Sequence, residues 1–183
     1  GMSWSTTGDT EVILNGFLAM GTSFFEKLNG IFAFAIYDDK NKKVFMARDH
    51  FGVKPFYYTI YNNNLIFASE VKAILKYPGI EPILDEQGIS EMFGIGPAHT
   101  NGITAFKNIY ELKPANYMIY NEDGIHIKRY WKLKSKPHED NLEQTSEKVL
   151  FLLEDSIRSQ LVSDVPLCTF LSGGLDSSII TLY

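Results

Sequence analysis

Val12, Ile13, Leu14, Phe17 and Leu18 repeat at the spacing of a helix face, Gly21 follows them, and Asp9 or Thr7 can cap the start. Ser23 and Glu26 have the spacing of a capping box, which predicts a short second helix ending at Asn29-Gly30. The period then changes. From Ile31 to Tyr37, Phe32, Phe34 and Ile36 alternate with Ala33 and Ala35, a strand too apolar on both faces for solvent and expected between layers. Asp38 to Lys43 is a polar turn, and Val44 to Asp49 is its returning strand. Phe56 to Ile60 and Leu65 to Ser69 flank Asn62-Asn63-Asn64 as a second hairpin, giving four antiparallel strands in succession. Short helices fit Ser69 to Leu75 and the stretch from the cap Asp85 to Phe93. After Gly94-Ile95-Gly96-Pro97, His99 to Lys107 reads as loop, and Tyr117 to Tyr120 with Ile125 to Trp131 make a third hairpin.

Helices interspersed with antiparallel hairpins indicate an α+β domain over residues 1–134. A charged, aperiodic stretch with Pro137 marks a linker at 135–140, and a second domain begins at 141. Its first helix has the core face Leu142, Val149, Leu150, Leu153, Ile157 and Leu161, and Asp140 with Glu143 resembles a capping box. Ser163-Asp164 leads to the apolar run Val165 to Phe170, expected to be a buried strand with Cys168 in its core.

That run feeds Leu171-Ser172-Gly173-Gly174-Leu175-Asp176-Ser177-Ser178, and Ile179 to Leu182 can continue as a helix. Strand, glycine turn and helix start form an anion site, because adjacent glycines allow close backbone approach and the first helical N–H groups lack partners. It is not a Walker A loop, since the glycine spacing and the Lys are missing. Asp176 beside a polyphosphate implies either Mg²⁺ between the two or a side chain turned to cap the helix.

Composition narrows the partners. A formal net charge of -5 without a basic run gives no footprint for nucleic acid. With 45% hydrophobic residues interrupted by charge, the 183-residue chain reads as soluble with no membrane span. One cysteine and no signal peptide point to the cytoplasm. His50, His99, His126 and His138 show no metal-ligand spacing, and Arg48-Asp49 before a glycine turn reads as an internal ion pair or turn clamp. Gly1 before Met2 reads as a scar of tag removal, and the chain ends one helical turn after the phosphate loop, where a parallel sheet should continue.

Five ordered blocks carry a family resemblance: Gly8 to Ile13, Leu28 to Ala35, Arg48 to Pro55, Ala68 to Ala73, and Ser163 to Ser178. With these the chain resembles glutamine-hydrolysing asparagine synthetases of the class-B type. The resemblance implies an N-terminal nucleophile glutaminase domain, an αββα sandwich, followed by the start of an α/β ATP pyrophosphatase-type domain. The first releases ammonia from glutamine; the second activates aspartate as β-aspartyl-AMP, and tunnelled ammonia displaces AMP. By the resemblance, Gly8 and Asp9 belong to the glutamine site, where Asp9 pairs with the α-ammonium group. Leu171, Ser172, Gly173, Gly174, Leu175, Asp176, Ser177 and Ser178 belong to the ATP site, with Asp176 near Mg²⁺. Read without the family, Asp9 is a plain helix cap.

The family's N-terminal cysteine has no counterpart in Gly1-Met2-Ser3, nor do its Arg and Asn-Gly elements appear ahead of Asp9, so no catalytic residue is assigned and the chain alone is expected to be inactive. Cys168 cannot substitute from a buried strand. A β-lactam-synthetase-like amide ligase and a non-catalytic scaffold or dimerisation module stay open as alternatives, as does a homodimer.

Overall fold

The computed structural model describes residues 5–96 and 100–183. Gly1, Met2, Ser3, Pro97 and His99, to which the sequence reading assigned a start, a break and a loop, lie outside the described residues. The chain divides into two compact units, Gly1–Leu133 and Lys134–Tyr183.

In the first unit, helix α1 spans Asp9–Met20 and ends on Gly21 at φ 60, whose N–H bonds Phe17 O. The expected core face is only partly used. Phe17 packs on Phe25 and Phe45, while Val12, Leu14 and Leu18 stay exposed. The expected Ser23–Glu26 capping box does not form, because a 3₁₀ helix, Gly21–Lys27, begins without a gap and Ser23 lies inside it. There the Ser23 hydroxyl donates to Met20 O at 2.6 Å.

Strands β1 (Ala33–Asp38), β2 (Lys43–Arg48), β3 (Tyr57–Tyr61) and β4 (Asn64–Ala68) follow the two expected hairpins. The hairpins enter different sheets. With β5 (Tyr110–Glu111), β6 (Asn116–Asn121) and β7 (Gly124–Arg129), they form a four-stranded sheet ordered β1-β2-β6-β7 and a three-stranded sheet ordered β4-β3-β5, every pair antiparallel. β1 is an edge strand, half-buried rather than enclosed, with Tyr37 58% exposed.

The pleat sorts side chains into layers. Met46 and Met118 of one sheet meet Tyr58 of the other, together with Phe56 and Leu112. Their neighbours Ala47 and Tyr117 face the opposite side, where Phe25 and Phe17 cover them. On the far face of the smaller sheet lie α2 (Val71–Ile74), with Ile74 fully buried, and α3 (Glu86–Gly94). Helix α2 is shorter than the Ser69–Leu75 expectation, whereas Asp85 caps α3 as expected, its Oδ1 accepting Gly88 N–H at 3.0 Å. The two antiparallel sheets thus share one core, with helical segments packed on them in a mixed α and β unit.

In the second unit, α4 spans Leu142–Gln160. Its capping box is Asn141 with Gln144, one residue later than expected, because Asp140 is held by Lys148 at 2.7 Å. Of the expected core face only Ile157 is buried; Leu142 and Val149 are exposed. The expected strand Val165–Phe170 does not form, and Cys168 is exposed rather than buried. The reason is pairing: a parallel strand is stable and enclosed only with hydrogen-bonded neighbours and covering helices, and no other strand lies within this unit. Helix α5 is Leu175–Leu182.

Candidate functional site

The residues singled out in the sequence fall at two helix starts, one in each unit. At the first, Gly8 is the N-cap of α1 and no side chain caps the helix. Asp9 is therefore not the cap, contrary to one reading of the sequence, and neither is Thr7. Its exposed carboxylate accepts only a 3.5 Å bond from the Thr10 hydroxyl among the described residues. The anchoring role falls to Glu11. One of its oxygens accepts Ser5 N–H at 2.8 Å and Ser5 Oγ–H at 3.0 Å; the other accepts Thr6 N–H and Thr6 Oγ1–H, both at 2.6 Å. These bonds, led by that from the Thr6 hydroxyl, lower the Glu11 pKa from 4.5 to about 2. A carboxylate three residues into a helix reaching back over its start follows capping-box logic. The signal for this in the sequence is Ser5-Thr6 ahead of Glu11.

At the second start, Gly173 adopts φ 80, which favours glycine, and Gly174 is the N-cap of α5. Asp176 does not cap the helix, so of its two predicted roles the capping one is removed. The three serines are tied together: Ser172 Oγ and Ser177 Oγ are 3.0 Å apart, and Ser177 and Ser178 hydroxyls donate to Gly174 O at 3.1 and 2.8 Å. Leu171, Gly173, Gly174, Leu175 and Asp176 are exposed. The early N–H groups of α5 thus have no side-chain cap and can meet an anion. No group of three or more His, Cys, Asp or Glu side chains suited to a metal occurs among the described residues.

Arg48-Asp49 is both an ion-pair site and a turn clamp, although the two residues do not pair with each other. Arg48 donates to Lys54 O at 2.6 Å, Leu112 O at 2.6 Å and Gly52 O at 2.8 Å, and meets Glu111 at 2.8 Å. The Asp49 carboxylate accepts the N–H groups of Phe51, Val53 and Lys54 at 3.0–3.1 Å. Gly52 sits at φ 68, and a Cβ there would lie 2.7 Å from Pro114 Cγ, so the turn admits only glycine. The Tyr130 hydroxyl closes the arrangement by donating to Arg48 O at 2.6 Å.

Comparison with known proteins joins these places. The family described as glutamine amidotransferase domain matches residues 1–131, and that described as asparagine synthase matches residues 148–183. An asparagine synthetase [glutamine-hydrolyzing] 3 of Bacillus subtilis is 48% identical over 99% of this chain and 30% of that protein. A putative asparagine synthetase [glutamine-hydrolyzing] 2 of Methanocaldococcus jannaschii is 36% identical over 96% of this chain and 35% of its own length. The chain thus spans 30–35% of these two curated relatives. Among solved structures, the glutamine phosphoribosylpyrophosphate amidotransferase of B. subtilis aligns with a TM-score of 0.47 at 19% identity, covering 72% of this chain and 24% of that one.

Proposed function

Since this chain belongs to the glutamine amidotransferase domain family, we propose that it is the glutamine-handling part, with the opening of the ATP-using part, of a glutamine-hydrolysing asparagine synthetase. Residues 1–134 are assigned to an αββα sandwich of the N-terminal nucleophile type, 135–140 to a linker, and 141–183 to the beginning of an ATP pyrophosphatase-type domain. Glutamine, aspartate and ATP are the substrates in this reading.

The observation that carries it is the uncommitted Asp9 carboxylate at the start of α1 beside a Glu11 that has taken the anchoring bonds. An exposed anion with spare acceptor capacity can receive the α-ammonium group of glutamine through charge-assisted hydrogen bonds. Gly8, adjacent to it, leaves the approach without a side chain. In the second unit the phosphates of ATP would meet the uncapped N–H groups at the start of α5. The donor set fits Mg²⁺, which commonly binds through one or two carboxylates plus substrate phosphates and water; Asp176 would be that carboxylate. When bound, the cation neutralises phosphate charge; Ser172, Ser177 and Ser178 hold the loop in shape. No catalytic nucleophile is assigned within the chain.

The test uses the full-length protein. Asp9→Asn raises the KM for glutamine and leaves ammonia-dependent synthesis intact, while Asp176→Ala abolishes ATP–pyrophosphate exchange and leaves glutamine hydrolysis intact. An unchanged glutamine KM in the first variant, or persistent exchange in the second, overturns the corresponding role.

A further inference from the structure

We propose that Glu11 is a positioning residue for Asp9: by anchoring Ser5 and Thr6 across the start of α1, it keeps the Asp9 carboxylate free for the α-ammonium group of glutamine. This rests on the reading of Asp9 given above. Two carboxylates stand two residues apart at the positive end of one helix, beside unpaired N–H groups that attract either. They are used differently. Among the described residues Glu11 accepts four hydrogen bonds, two from backbone N–H groups and two from hydroxyls, whereas Asp9 accepts one long bond. The Thr6 hydroxyl held by Glu11 also accepts Gly8 N–H at 3.3 Å, so the anchor reaches the residue directly before Asp9.

Without Glu11, the donors at Ser5 and Thr6 lose their acceptor, the segment through Gly8 is released, and Asp9 becomes the nearest carboxylate able to satisfy them. Turned back in that way, it would cease to face the substrate. Asp9 and Glu11 are the two acids of α1; Thr10 between them brings a hydroxyl and no charge, and Asn15 lies further along the helix, so the competition is between these two carboxylates.

The experiment compares glutamine with glutaramate, the same amide without the α-ammonium group, as substrates of the full-length protein and its Asp9→Asn, Glu11→Ala and Glu11→Gln variants. Ammonia-dependent synthesis reports the integrity of the remaining machinery. The expected result is a loss of about tenfold or more in the preference for glutamine over glutaramate in both Asp9→Asn and Glu11→Ala, the size of one charge-assisted hydrogen bond. Damage to the fold alone would lower both substrates together and leave the ratio unchanged, and that outcome in Glu11→Ala overturns the positioning role. If Asp9→Asn loses the preference and Glu11→Ala keeps it, the positioning role falls and the glutamine reading stands. If Asp9→Asn keeps it, the glutamine reading falls and this inference with it. Should Glu11→Ala fail to fold, Glu11→Gln decides: it retains one acceptor oxygen, so a smaller shift of the ratio in the same direction is expected, and no shift overturns the proposal.

Discussion

Arg48 and Glu111 form a buried ion pair at 2.8 Å that joins the end of β2 in one sheet to β5 in the other, with the two side chains 6% and 4% exposed. Because Arg48 also holds three carbonyls, removing either partner strands polar groups away from water. Arg48→Met or Glu111→Leu alone is expected to cost about 3–5 kcal/mol of stability, measured by urea unfolding. The double variant should cost less than the sum of the singles, since it leaves neither charge buried alone. Arg48→Lys should recover only part of the loss, because an ammonium cannot span the fork of acceptors.

Tyr130→Phe removes the hydroxyl that donates to Arg48 O and leaves that carbonyl short of a donor. The expected cost is about 1–3 kcal/mol. Burial first, and the Asp49 carboxylate second, push the Tyr130 phenol above its ordinary 10.0. A raised phenol pKa contributes stability that is present below the unfolded value and is lost as pH rises past it. Alkaline unfolding should therefore begin above about pH 10 in the native protein, and part of that pH dependence should vanish in Tyr130→Phe.

Glu11 works in the opposite direction. Its folded pKa of about 2 lies below the ordinary 4.5, so its anchoring contribution is complete above 4.5 and fades as pH falls toward 2. The amide resonances of Ser5 and Thr6 should follow that titration in NMR spectra, and Glu11→Gln should remove it. A midpoint for these amides near 4.5 in the unmodified protein would contradict the anchored start.

Much of this was legible in the sequence. Helix α1, all three hairpins and the Asp85 cap follow from period and turn chemistry, which act over a few residues. What was not legible depends on distant partners. β5 has two residues and exists because β3 pairs with it, and the acceptors of Arg48 include one 64 residues away. The strand expected at Val165–Phe170 failed for the same reason: an apolar run reads as a buried strand only when its neighbours are supplied. At the start of α1 the sequence did not tell that Glu11 rather than Asp9 would anchor it, since two acids two residues apart look alike in sequence.

Gly88 and Gly94, both in α3, should respond to alanine with opposite signs. A Cβ at Gly88 would lie 2.1 Å from the Thr104 carbonyl oxygen, a backbone atom that cannot swing aside, and Gly88→Ala is expected to destabilise by about 1–3 kcal/mol. At Gly94 a Cβ would meet nothing within 4 Å among the described residues, so Gly94→Ala is expected to stabilise by about 0.5–1 kcal/mol. Thermal unfolding of the two variants tests the close packing of α3 on the chain at Thr104.

The route by which the first unit folds is already implied by where its clamp closes. Hairpins such as β1–β2 and β6–β7 are local and can form within microseconds, but the β2–β6 pairing that joins them waits for the intervening chain to be gathered in. The bonds from Arg48 to Leu112 and from Tyr130 to Arg48, 64 and 82 residues apart in sequence, can be made only after that encounter. They are a latch that closes late, so weakening it should quicken unfolding far more than it slows folding.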